Sequence, residues 1–508
     1  MRVGALSVVE NLTAGRVLVH SVLWNLLGMA APMLVALFAI PLLIDGLGLE
    51  RFGLLAIIWV GVGYFSLFDL GVGRALTKLV SERLVQGEIG DLSSLIWSAL
   101  FLLALLGGFG AILVYTLSQS LVTGLLGVPD GLRDEGIAAL RVLAVGLPLV
   151  IVTAGLIGVM EAYQRFRTIS LIRIPLGILT FAGPLLSLQF TPNIAWATAV
   201  LVAARIFALI AYYAATSRVQ SELLRPKIPE WEPMRSLLSF GGWFTVTNTI
   251  GPLMTYMDRF FISALLSLSA VTYYVTPYEV LSRLQMLPQA IMGVLFPAMA
   301  AAHAGNRRNL ANLFEISGKV IYWMLFPCVV SAFLLAPEAL QWWLGEDFRN
   351  IATPLTHWLA AGWMINLLAR PAFTVLQSTG RPDLVAKTHL LELLPYLGML
   401  WWFTSVYGIS GAAAAWTLRV TADTLILNAI AAYTLPALRR LAVRSCVSVF
   451  ITGLAFGCFW LLEDLVIRVL CMLAVIITAA VMLWPLGYRL RMSYGHSALN
   501  NPDGNSRN

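Results

Sequence analysis

The chain has 508 residues, of which 59% are hydrophobic and 12% charged, with a formal net charge of +7. A soluble domain carries about 25% charged residues, so a string of water-soluble domains is excluded. The positive excess does not mark a nucleic-acid partner, because Lys and Arg sit in short junctions between apolar runs, as in a polytopic membrane protein.

A helix needs about twenty mainly apolar residues to cross the hydrocarbon core. The first such run, 18–44, is too long for a signal-peptide core and lacks a small-residue cleavage site, so it reads as span one. Spans two to six follow at 52–73, 93–117, 137–160, 167–189 and 194–216. The longest inner connection, 217–236, separates them from spans seven to twelve at 238–266, 271–301, 317–337, 353–377, 386–406 and 410–434. The last two are divided by a tight turn at 407–411. Spans thirteen and fourteen lie at 443–462 and 467–488, and the polar stretch 500–508 reads as disordered. The expected fold is therefore an all-α polytopic membrane protein with about 14 transmembrane helices. Its organisation is a six-helix lobe at 1–217, an inter-lobe loop at 218–236, a second six-helix lobe at 237–435, an appended helix pair at 436–490 and a polar tail at 491–508.

Charge placement supports the count. With the first two residues of each span counted in the junction before it, odd-to-even junctions hold only Arg51, Arg133, Arg349 and Arg468, whereas even-to-odd junctions and the tails hold 21 of the 33 Lys and Arg. The bias alternates at every junction and places both termini in the cytoplasm of an inner membrane. Asn25-Leu-Leu-Gly28 in span one is echoed by Asn248-Thr-Ile-Gly251 in span seven, each followed by a helix led by an aromatic, Phe52 or Tyr273, which makes a weak internal repeat.

Catalytic chemistry is missing from the pattern. There is no Walker A loop and no nucleophile elbow, and His20, His303, His357, His389 and His496 have no ligand spacing. Cys328, Cys446, Cys458 and Cys471 all lie in apolar runs and read as small buried hydrophobes. No enzyme activity, metal or cofactor is expected, and transport is the remaining reading. The informative groups are ionisable residues inside spans, where a charge costs about 2.5–3.5 kcal/mol on the insertion scale and so faces protein or a wet cavity. The cations are Arg141, Arg173, Arg205, Arg259, Arg283, Lys319, Arg370 and Arg419; the anions are Asp69, Asp258, Glu279, Glu392 and Asp423. Arg173 and Lys319 lie near inner span ends, where they can snorkel. Glu279 with Arg283, and Arg419 with Asp423, stand at i, i+4. Such pairs either neutralise each other in the packed bundle or serve a ligand or coupling ion, and the spacing permits both. Asp69 either caps a helix end or pairs with Arg74. Arg141, Arg205, Arg259, Arg283 and Arg370 exceed their local anions, and a guanidinium fork suits phosphate oxygens. These five are the expected anion-binding residues, with Asp69, Asp258, Glu279, Arg419 and Asp423 as ion-coupling or charge-pair candidates. Span eight adds three helix breakers, Pro277, Pro288 and Pro297, beside Glu279 and Arg283.

Leu47-Gly48-Leu49-Glu50-Arg51-Phe52-Gly53 and Asp69-Leu70-Gly71-Val72-Gly73 resemble the opening of the polysaccharide and O-antigen flippases. So do Tyr273-Tyr274-Val275-Thr276-Pro277-Tyr278-Glu279, Phe296-Pro297-Ala298-Met299, and Gly408 with Gly411-Ala412-Ala413-Ala414. The resemblance covers roughly residues 15–435, in the family's order, and the family belongs to the multidrug/oligosaccharidyl-lipid/polysaccharide exporter superfamily. It implies two six-helix bundles related by a pseudo-two-fold, alternating access, and a polyprenyl-diphosphate-linked oligosaccharide as substrate. The substrate would be flipped from the cytoplasmic to the periplasmic leaflet for O-antigen, exopolysaccharide or capsule synthesis. It also implies a proton or sodium ion as coupling partner, with membrane lipids, glycosyltransferases and a polysaccharide polymerase around the transporter. Two alternatives from the same superfamily are a lipid II flippase and a drug or cation antiporter. The excess of in-span cations over anions, eight to five, points away from the antiporter. A membrane glycosyltransferase would want a large outer loop or acidic catalytic motifs, which are not present.

Overall fold

The computed structural model describes residues 32–64, 69, 71–86, 92–220, 226–305 and 307–499. The first half of span one with Asn25 and Gly28, the centre of the 217–236 connection, and residues 500–508 lie outside the described residues, as does the side chain of Asn248. Every regular element among the described residues is helical, and the chain divides into two units, Met1–Thr276 and Pro277–Asn508.

The first unit holds α1 (Pro32–Leu47), α2 (Leu49–Tyr64), α3 (Val72–Gln86), α4 (Leu92–Ser120), α5 (Arg133–Ala162), α6 (Phe166–Leu188), α7 (Ile194–Val219) and α8 (Trp231–Leu265). It also contains most of α9 (Leu268–Ser282). The second holds the remainder of α9, then α10 (Met286–Gly305), α11 (Arg307–Leu334), α12 (Ala336–Leu344), α13 (Glu346–Ser378), α14 (Pro382–Thr434), α15 (Arg439–Trp460) and α16 (Leu465–Leu499). Eight of the described helices are long and apolar enough to cross a membrane by length and composition. Their outer faces carry stripes that no soluble protein would leave in water. Examples are Leu105, Phe109 and Ile112 on α4, and Val447, Phe450, Ile451 and Leu454 on α15.

Each unit is built round a central span. In the first, α5 packs against α3, α4 and α7; in the second, α13 packs against α11, α14 and α15. Centre and rim differ in burial: 78% of α13's most apolar stretch is buried, against 11% of α16's. The two units repeat a packing register. The Ile194 backbone N–H donates to Glu135, while Thr417 Oγ1 donates to the Trp358 carbonyl and Thr424 Oγ1 to that of Ile365. All three bonds join residues 59 apart in sequence. Spans four and six thus run parallel at the same offset as spans ten and twelve.

The turn expected at 407–411 closes α14 into a hairpin. Gly408 takes φ 62°, ψ −143° in an otherwise helical run, a region open to glycine and strained for other residues. A Cβ at Gly411, on the returning arm, would collide with the Phe403 carbonyl of the first arm. Three local expectations change. Span two does not run as one helix to residue 73: Asp69 Oδ1 accepts from the Gly71 N–H at 2.8 Å, Gly71 takes φ 71°, and a new helix covers Val72–Gln86, which reads as a loop in sequence. An Asx turn of this kind redirects the chain and launches the next helix. Span eight is broken by a 3₁₀ turn at Arg283–Gln285, because Pro288 cannot donate and its ring crowds the carbonyl four residues earlier, at Leu284. The outer segment after Leu334 forms the short helix α12, and α13 starts at Glu346 rather than 353, with Glu346 and Asp347 meeting the positive end of its dipole.

Candidate functional site

Two motifs of the sequence meet inside the first unit. Thr272 Oγ1 donates to the Leu49 carbonyl at 2.6 Å, and a Cβ at Gly53 would strike the Leu268 carbonyl. Glycine at 53 thus lets α2 lie against the start of α9. Arg51, of the same motif, donates to Glu135 at 3.1 Å, and Glu135 also accepts from the N–H of Ile194. This one carboxylate ties the starts of α2, α5 and α7 together.

The first-unit candidates fall in different surroundings. Arg141 is exposed on α5, lies 5.1 Å from the centre of the Tyr115 ring, and lines a groove of ≈ 570 Å³ with Asp134 and Val145. Arg205 on α7 has the buried Tyr212 as a neighbour. Arg173 and Glu161 stand near the same phenol, whose hydroxyl donates to the Ile169 carbonyl at 3.2 Å. Asp258 and Arg259 on α8 are both fully buried. Asp258 accepts from the Tyr274 hydroxyl at 2.6 Å and from the Arg259 N–H at 2.7 Å, and the Arg259 guanidinium stacks 4.6 Å over Tyr256. A ligand reaches that guanidinium only if its cover moves. Asp69 is buried against the Gly71 N–H, and Arg74 faces Glu161 at 3.7 Å.

In the second unit Arg283 sits in the 3₁₀ break and reaches back to Glu279, Nη2 to Oε2 at 3.0 Å. Both side chains are partly exposed, at 32% and 26%. The other candidates gather where α13 faces the α14 hairpin. Arg419 does not pair with Asp423 as the i, i+4 spacing suggests. Its Nε lies 3.7 Å from Glu392 Oε2 on the opposite arm, and its guanidinium lies 5.9 Å from the centre of the Tyr396 ring. Asp423 Oδ1 lies 3.3 Å from His389 Nε2. Arg370 of α13 has Asp423 and Arg419 as its charged neighbours.

The side chains of Arg419 and Glu392 are each 10% exposed and that of Asp423 6%, yet neither Glu392 oxygen receives a hydrogen bond among the described residues. A buried carboxylate held by charge at 3.7 Å, without aligned donors, is poorly compensated. His389 and Glu392 carry no helical-spacing signal toward Asp423 or Arg419. Only the turn at Gly408, which sets the hairpin register, could have pointed to them.

A family model described as polysaccharide biosynthesis protein matches residues 18–303. The chain is 28% identical over 416 residues, 81% of its own length and 97% of the relative's, to a candidate O-antigen transporter of Shigella flexneri. Among solved structures it is similar to a multidrug resistance MATE family transporter of the MOP superfamily in an inward-facing conformation. That match has a TM-score of 0.68 at 14% identity, over 82% of this chain and 99% of that one. It is similar as well to the lipid II flippase MurJ in an inward closed conformation, with a TM-score of 0.68 at 15% identity, over 91% of this chain and 99% of that one. At these identities the structural likeness establishes the fold: an all-α polytopic membrane protein with about 14 transmembrane helices.

Proposed function

The chain belongs to the polysaccharide biosynthesis protein family, and from that premise we propose that it flips a polyprenyl-diphosphate-linked oligosaccharide from the cytoplasmic to the periplasmic leaflet by alternating access. It is a polysaccharide-related flippase and not an enzyme. The finer reading assigns the substrate class, the inner membrane, cytoplasmic termini, and lobes at 1–217 and 237–435. The observation that carries the substrate class is the surplus of arginine inside the spans, with Arg283 held by one carboxylate and still partly exposed. The substrate's diphosphate supplies the matching anion, because its oxygens accept both prongs of a guanidinium.

Arg283 is the first head-group ligand in this scheme, with Arg141, Arg205, Arg259 and Arg370 as further anion ligands. Glu279 holds the Arg283 guanidinium when no diphosphate is present. Asp69, Asp258, Arg419 and Asp423 remain the candidates for coupling to a proton or sodium ion. The test is complementation of a flippase-null strain, with immunoblots for protein level. Arg283→Ala abolishes export at normal protein level, and Arg283→Lys restores part of it, because a point charge cannot form the bidentate fork. If Arg283→Ala instead lowers expression and Glu279→Gln rescues both expression and export, the pair is a scaffold element and the binding role is wrong.

A further inference from the structure

A second cavity, of ≈ 440 Å³, opens in the second unit among α11, α13 and α15. Its walls are apolar and aromatic, with Tyr322, Trp323, Leu368 and Pro371 among them, and its polar rim consists of Lys319, Arg444, Glu315, Ser445 and Ser448. Lys319 Nζ donates to Glu315 at 2.6 Å, which leaves Arg444, exposed and without an ion-pair partner among the described residues, as the uncompensated charge of the rim. Lys319 and Arg444 lie in the first turns of spans nine and thirteen, at the ends that the charge bias assigns to the cytoplasm. Both cations therefore stand at head-group depth, with the apolar part of the cavity beside them. Trp323, an aromatic suited to that boundary, is in the wall.

We propose that this cavity binds the head group of an anionic glycerophospholipid of the cytoplasmic leaflet, with the phosphodiester between Arg444 and Lys319. The charge balance selects this occupant. Two cations and one carboxylate leave one net positive charge, which a phosphodiester neutralises. A polyprenyl diphosphate would bring at least one further negative charge against apolar walls, where it is costly. The Ser445 and Ser448 hydroxyls add hydrogen-bonding capacity beside the phosphate, and the acyl chains leave along exposed Ile451 and Val447 of α15. Gly318 keeps the floor open, since a Cβ there would meet only Pro371 Cγ, at 3.8 Å.

The experiment is native mass spectrometry of the purified full chain, titrated with phosphatidylglycerol, phosphatidylcholine, undecaprenyl diphosphate and inorganic phosphate. Phosphatidylglycerol should bind more tightly than phosphatidylcholine. Arg444→Ala should weaken it about fivefold, Arg444→Lys should retain most of the affinity, and Gly318→Leu, which fills the floor without removing charge, should also weaken it. Equal binding of the two phospholipids, or phosphatidylglycerol binding indifferent to both Arg444→Ala and Gly318→Leu, overturns the proposal. If undecaprenyl diphosphate displaces phosphatidylglycerol and is the ligand more sensitive to Arg444→Ala, the site belongs to the transported lipid. If inorganic phosphate displaces it equally well, the lipid assignment falls.

Discussion

Replacing Arg419 with alanine isolates one charge in the α14 hairpin. Arg419 and Glu392 stand 3.7 Å apart with side chains 10% exposed, so at an effective dielectric near 20 their attraction is about 4 kcal/mol. Removing one partner leaves Glu392 buried among apolar neighbours with no donor to either oxygen. Breaking buried pairs in this way costs about 3–5 kcal/mol. The cost falls on folding because Asp423, a second carboxylate, stands nearby and adds repulsion. Arg419→Ala should therefore lower the unfolding midpoint of the purified protein strongly. Glu392→Gln alone, which keeps the shape and leaves Arg419 with Asp423 as a nearby counter-charge, should cost less. The double variant should recover most of the loss, with a coupling energy of about 2–3 kcal/mol. Thermal unfolding in detergent, followed by intrinsic fluorescence across the four-member cycle, measures it. Additive single effects would refute the reasoning and mean that the two groups do not share one buried field.

Gly408→Ala forces a Cβ into a conformation at φ 62°, ψ −143°. It should cost about 1–3 kcal/mol, read as a lower unfolding midpoint, with Gly398→Ala as the control because nothing lies within 4 Å of a Cβ there. Arg468 donates to Glu338 at 2.6 and 3.0 Å and to the Leu334 carbonyl at 2.8 Å, fastening α16 to the end of α11. Arg468→Ala should lose about 2 kcal/mol of that attachment and speed proteolytic nicking at 461–464, while Arg468→Lys should restore only part of the protection. Topology is tested with single cysteines in a cysteine-free background and an impermeant maleimide on whole cells. Gly345→Cys should label and Ser221→Cys should not, and the reverse pattern overturns the orientation.

Composition and the spacing of apolar runs were enough to determine the helical class, the approximate places of the spans and the turn at 407–411, because crossing a bilayer imposes a length and a polarity that one strand of sequence displays. The Glu279–Arg283 pair was legible for a similar reason, since i, i+4 contacts lie on a single helix. What lies across a hairpin or between helices was not. Arg419 meets Glu392 and Asp423 meets His389 only because Gly408 places the turn where it does. A register shift of one residue would rotate each side chain by about 100° and dissolve both contacts. The break at Arg283–Gln285 has a visible cause in Pro288, yet Pro277 stands inside a continuous helix, so proline alone does not say where a span will break. Arg468 reads as an outer-junction charge in sequence. Its burial against Glu338, 130 residues away, depends on how α16 docks, and tertiary packing alone decides that.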